Sequence, residues 1–140
     1  MKAIRTTAAV VFALAALASC ASTSSFELAQ GPKGLPGKGV VNAQPGDNGN
    51  TKLSVAVEDL GPADRVEPGA SVFVVWATPS QGGAPQNLGA IHVDNNLNGK
   101  LETVTPLQSF QLFVTAEPAG AITAPTGTPI LETTVVMKAG

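Results

Sequence analysis

Beyond residue 39 the apolar positions recur with a period of two. In Lys52-Leu-Ser-Val-Ala-Val57, the side chains of Leu53, Val55 and Val57 share one face, and in Ser109-Phe-Gln-Leu-Phe-Val114, those of Phe110, Leu112 and Val114 do the same. Such alternation marks half-buried antiparallel strands. It predicts strands over Gly39–Ala43, Thr51–Glu58, Ala70–Thr78, Gln86–Asp94, Lys100–Thr105, Ser109–Glu117 and Ile130–Lys138. Clusters of Gly, Asn and Pro separate them, among them Gly46–Gly49, Gln81–Pro85, Asn95–Gly99 and Pro118–Pro129. Gly and Asn supply positive φ in such turns, and Pro fixes a negative one. No segment carries an apolar stripe at helical spacing. About seven short strands in ~100 residues predict an all-β domain, an Ig-like antiparallel β-sandwich, with a small β-barrel as the alternative. The stretch Val72-Phe-Val-Val-Trp-Ala77 is apolar on both faces, so it belongs in the middle of a sheet covered on both sides. Trp76 is its largest side chain and the expected core anchor.

The N-terminus has a different pattern. Lys2 and Arg5 precede an unbroken apolar run, Ala8–Ala18, that ends in Leu17-Ala-Ser-Cys20. A spanning helix needs about 20 apolar residues, so this run is too short to cross a bilayer and suits the h-region of an export signal. Leu17–Cys20 has the form of a bacterial lipobox, which makes residues 1–19 a lipoprotein signal peptide and Cys20 the acylated residue of the mature chain. Several acyl chains, at ~0.8 kcal/mol per buried CH₂, hold a protein stably on a membrane. Ala21 is not Asp, which directs such a protein to the outer membrane where the source has two membranes. Residues 20–39, rich in Ser, Gly and Pro, read as a lipidated flexible tether to a domain over 40–140. Gly31, Gly34 and Gly37 fall every third residue, but three triplets cannot hold a collagen helix. A phosphate loop at Gly37-Lys38 fails because Pro32 stands where Gly is needed and Gly39 where Ser or Thr is needed.

Composition narrows the functional classes. The 140 residues carry 8 basic and 10 acidic side chains, a formal charge of −2. Removing Lys2 and Arg5 with the leader leaves 6 basic side chains against 10 acidic ones, with Arg65 the sole Arg. That balance argues against nucleic-acid binding, and nothing marks a small-molecule substrate or a cofactor. The expected partners are the membrane, through the lipid, and an envelope protein. One Cys and one His exclude both a disulfide framework and a Cys/His zinc cluster.

Two places carry candidate chemistry. Asp94-Asn-Asn-Leu-Asn-Gly99 matches the opening of a calcium loop, with Asp94, Asn96 and Asn98 as oxygen ligands, but the required twelfth-position Glu is Thr105. The competing reading is a hairpin turn in which Asn98-Gly99 reverses the chain. A turn centred near Leu97 sets Lys100 opposite Asp94 and Glu102 opposite His92. Those are complementary cross-strand pairs, or else the core of a small metal-assisted or hydrolytic site. No Gly-x-Ser-x-Gly elbow accompanies them, and the favoured reading is a non-enzymatic binding, sensing or interaction module. The acids of Glu58–Gly69 read as a solvated connection.

The segments Phe73–Gly89 and Phe113–Gly127 resemble the extracytoplasmic C-terminal domain of anti-sigma-K factors (RskA-like). The resemblance is carried by Val75-Trp76, Gly82-Gly-Ala-Pro85, Leu88-Gly89, Glu117-Pro-Ala-Gly120 and Pro125-Thr-Gly127, in that order, with Ala121 where the family has a second Gly. It spans roughly residues 50–135. It implies a β-sandwich and a sensing or protein-contact role outside the membrane, and it brings no catalytic residues. In that family a cytoplasmic sigma-binding segment and a transmembrane helix precede the domain; here a lipoprotein signal stands in their place. A role as regulator of an envelope-stress sigma-factor pathway follows from the resemblance alone.

Overall fold

A computed structural model of the chain describes residues 22–138. The signal peptide and Cys20 lie outside the described residues. The domain is all-β, with eight antiparallel strands: β1 (Ser24–Gln30), β2 (Lys38–Pro45), β3 (Thr51–Glu58), β4 (Val72–Pro79), β5 (Gln86–Ile91), β6 (Gly99–Thr105), β7 (Ser109–Glu117) and β8 (Leu131–Val136). One short helix, α1 (Ala63–Val66), interrupts the acidic connection between β3 and β4. Thr51–Glu58 and Ser109–Glu117 have the bounds that the alternation predicts.

The strands form one hydrogen-bonded run in the order β5-β4-β7-β8-β1-β2-β3-β6. Strand β1 makes the run continuous. Its Ser24–Leu28 stretch pairs with β2, whereas Ala29 and Gln30 pair with β8. The sheet therefore curls into a flattened barrel, the second of the two predicted all-β arrangements. Its two end strands, β5 and β6, meet without a ladder: the Thr103 hydroxyl donates to the Leu88 carbonyl at 3.0 Å. At this seam Gly89 has φ +138°, and a Cβ placed there would lie 3.1 Å from the Leu101 side chain, so the absent side chain lets Leu101 fill the gap.

Strand β1 corrects the tether reading. Residues 20–39 are not all linker, because the folded domain already includes Ser24–Gln30. Phe26 packs against the core and Leu28 is buried in it, while backbone pairing on both sides supplies what this polar segment lacks in hydrophobicity.

The barrel interior is filled by the predicted alternating faces: Val41, Ala43, Leu53, Val55, Val57, Phe73, Val75, Ile91, Phe110, Leu112, Val114, Leu131 and Val135. A second, smaller cluster lies on the outer side of β4 and β7, where Val74, Trp76 and Phe113 are buried with Val72 and Ile122 against them. Trp76 is fully buried here rather than in the barrel interior. Its ring stacks on Phe113, with centroids 6.5 Å apart and planes 18° from parallel, a separation at which aromatic pairs attract.

The antiparallel registers sort the connections to two poles. The start of β1, the turn Gly46–Asn50, the turn Ser80–Pro85, the turn Pro106–Gln108 and the end of β8 share one pole. The 31–37 loop, the α1 connection, the 92–98 loop and the long segment 118–130 share the other.

Candidate functional site

The two outer surfaces of the barrel are finished differently. On the β4-β7 side, segment 118–129 crosses the sheet as a strap and closes over Trp76. Two polar side chains hold it. Asn87 Nδ2 donates to the carbonyls of Gly120 and Ile122, both at 2.8 Å, and Asn87 Oδ1 accepts the Gly89 N–H at 2.9 Å. At the other end is Glu117, fully buried at the top of β7. Its Oε1 accepts the Thr115 hydroxyl at 2.7 Å and the N–H groups of Thr126 and Gly127 at 2.9 and 3.0 Å. Its Oε2 accepts the Thr126 hydroxyl. The Trp76 indole N–H donates to Thr115 Oγ1 at 2.9 Å, so one polar chain runs from the indole through Thr115 to the strap.

Burial pushes the Glu117 carboxyl's pKa up, but the Gly127 amide, the hydroxyls of Thr126 and Thr115, and the Thr126 amide together outweigh it. The carboxyl therefore lies below its ordinary value of 4.5. Gly127 has a steric reason as well: a Cβ there would stand 2.7 Å from the Ala116 carbonyl oxygen, so only Gly brings the strap this close to β7. The Glu117-Pro-Ala-Gly120 and Pro125-Thr-Gly127 segments thus meet in one clamp. Sequence reasoning missed it, although the apolar outer residues of β4 signalled that something covers that face.

The opposite face, formed by β1, β2, β3 and β6, is open. Its registers align Ser25, Asn42, Ser54 and Glu102 across four strands, with Gln44, Lys52 and Val104 in the next row. A groove of about 400 Å³ lies over these rows, with Thr23 at its edge. Its lining combines hydrogen-bonding side chains, one cation and one carboxylate with an exposed surface that is mostly apolar, supplied by Leu53, Val104 and side-chain stems, the mixture found at protein interfaces.

The predicted partners of His92 and Asp94 are not the observed ones. The Asp94 N–H donates to the Asn98 carbonyl at 2.8 Å, and the His92 carbonyl lies against Gly99. The Asp94–Asn98 bond centres the turn on Asn96, one residue earlier than expected, so Asp94 faces Asn98 rather than Lys100. The chain reverses through Leu97 at φ +65° rather than at Asn98-Gly99. Glu102 instead sits opposite Ser54 and pairs with Lys100 of its own strand at 3.2 Å. His92 shares a hollow of about 170 Å³ with Asp64 and Ser71. These are the residue types of a hydrolytic triad, but Ser71 Oγ donates to the Pro118 carbonyl at 2.7 Å. An activated serine needs its hydroxyl directed at a base.

In the 94–99 loop, Asp94 Oδ1 accepts the N–H groups of Asn96 and Asn98 at 2.8 and 3.0 Å, an Asx turn that already engages one of the oxygens offered as a ligand. Among the described residues no three His, Cys, Asp or Glu side chains gather as a metal site. Asp94→Ala should cost about 1 kcal/mol in urea unfolding, the value of losing such local hydrogen bonds, with and without millimolar calcium. A loss that appears only with calcium present would make the loop an ion site.

No family model matches the chain, and no curated protein and no solved structure matches it.

Proposed function

We propose that this chain is a non-enzymatic lipoprotein of the bacterial envelope whose β-barrel acts as a protein-interaction module. The lipobox at Leu17–Cys20 supports the anchor, and Ala21 favours the outer membrane where there are two. The observation that carries the interaction role is the contrast between the two outer faces. One is sealed by a clamped strap over Trp76. The other presents an open groove of mixed character, lined by Asn42, Gln44, Ser54 and Glu102 together with Leu53 and Val104. Its partner is another envelope protein, bound through hydrogen bonds, the Glu102 carboxylate and the groove's apolar surface. The resemblance to the anti-sigma domain supports a contact role outside the membrane.

A photo-crosslinking residue at Asn42 in cells should capture a defined envelope protein. Ser54→Arg, which fills the groove from the neighbouring strand, should reduce that capture at least tenfold while leaving the thermal midpoint unchanged. Capture from Asn95 but not from Asn42 would move the contact to the other pole and overturn the groove.

A further inference from the structure

The start of β1 fixes how the barrel stands on its anchor. Ser24 is already in the sheet, and Thr23 lines the groove edge beside Gln44, Lys52 and Val104. Four residues from Cys20 to Ser24 span at most about 14 Å when fully extended. A strand of eight residues, such as β3, is about 26 Å long. On so short a leash the barrel cannot invert, because the far pole lies further from the exit point than the leash reaches.

A barrel lying on its side would still fit this length, and charge decides between the two. On the near pole stand Lys52 and Lys138 against Asp47, all exposed, between turns of uncharged residues at Ser80–Pro85 and Pro106–Gln108. The far pole has Glu58, Asp59, Asp64, Glu67 and Asp94 against Lys33, Lys38 and Arg65. The sides carry Glu27, Glu102 and Glu132 against Lys100. Only the near pole has net positive charge. It also bears two of the exposed large apolar side chains, Val104 and Val136, at 54% and 53% exposure. Basic side chains with apolar neighbours suit the headgroup layer of an anionic bilayer, and net negative surfaces are repelled by it.

We propose that the near pole, with the turns Gly46–Asn50, Ser80–Pro85 and Pro106–Gln108, docks on an anionic phospholipid surface. The groove then faces sideways along the membrane, and the acidic loops point away from it. This rests on the reading of Cys20 as acylated.

The test uses the full acylated protein in vesicles of phosphatidylethanolamine and phosphatidylglycerol. Cys20 is the only cysteine of the chain and is capped by acylation, so Ala84→Cys and Asn95→Cys each give a unique thiol for a fluorophore. A headgroup nitroxide should quench the label at 84 several-fold more than the label at 95. Lys52→Glu with Lys138→Glu should bring the two towards equality. Equal quenching in the unaltered protein, or stronger quenching at 95, overturns the docking while leaving the anchor in place. The mass of the N-terminal peptide reads the anchor separately: an unacylated N-terminus overturns the lipoprotein reading and the docking with it.

Discussion

Glu117→Ala should destabilise the domain by about 3–5 kcal/mol, because four hydrogen bonds to a charged acceptor, each worth about 1.5–3 kcal/mol, are lost together and the half-buried donors regain part of that from water. The substitution leaves the amides of Thr126 and Gly127 and two hydroxyls without their acceptor, the Thr115 hydroxyl buried and the strap's donors half-buried. Unmade buried hydrogen bonds cost more than made ones contribute. The strap hydrates them fully by lifting further into solvent, and that movement uncovers Trp76. The expected result is therefore double: a lower urea midpoint, and a red shift of emission from the single tryptophan under native conditions. A loss below about 1 kcal/mol with unchanged emission would show that Glu117 does not hold the strap.

The same carboxylate sets an acid limit. Its folded pKa lies below 4.5, so its stabilisation is complete above that pH and declines as pH falls through the folded value. Glu117→Gln keeps one acceptor oxygen in place and removes the titration. Its stability should be lower than that of the unaltered protein at neutral pH, and flatter between that pH and the acid side.

The strands of the barrel were legible because their alternation is strict and their ends are punctuated. Leu53, Val55 and Val57 can satisfy only one register, since a slip of one residue would turn all three to water. Strand β1 was hidden for the opposite reason. In Ser24–Gln30 only Phe26 and Leu28 mark an inner face, and the Ser and Gly around them read as linker. What fixes this segment is pairing with β2 and β8, which are distant in sequence and leave no local trace. The choice between sandwich and barrel depended on that strand, so it stayed open as well. The His92 partners failed on a smaller scale: the alternation places a residue on a face, but the turn centre sets its partner, and Leu97 in a left-handed conformation was not foreseeable. Glu117 was the largest omission. By parity it belongs with Gln111 on the outer face of β7, where a carboxylate ordinarily meets water. Yet Phe113 has the same parity, and Val74 and Trp76 stand beside it on β4. Three such apolar side chains could not have been solvated together, and Pro118–Pro129, which leaves β7 directly beside them, is long enough to cover them.

Trp76→Ala tests that covered face from the other side of the clamp. It empties a fully buried site bounded by Phe113, Val74 and the strap, and should cost about 3–5 kcal/mol, as large-to-small aromatic substitutions in cores do. The barrel interior is a separate cluster, so the β-sheet signal in far-ultraviolet circular dichroism should persist at low temperature. Trp76→Phe restores most of the volume but not the indole N–H. Thr115 loses a donor to its oxygen and still donates to Glu117, so the cost should fall to less than half. The two carriers of the outer face are also coupled: once Glu117→Ala has freed the strap, less remains for Trp76 to pack against. The double variant with Trp76→Ala should therefore lose at least 1 kcal/mol less than the two single losses combined, within the range of interaction energies between residues sharing a network. Strict additivity would mean that the indole and the carboxylate stabilise the fold independently, and that no strap joins them.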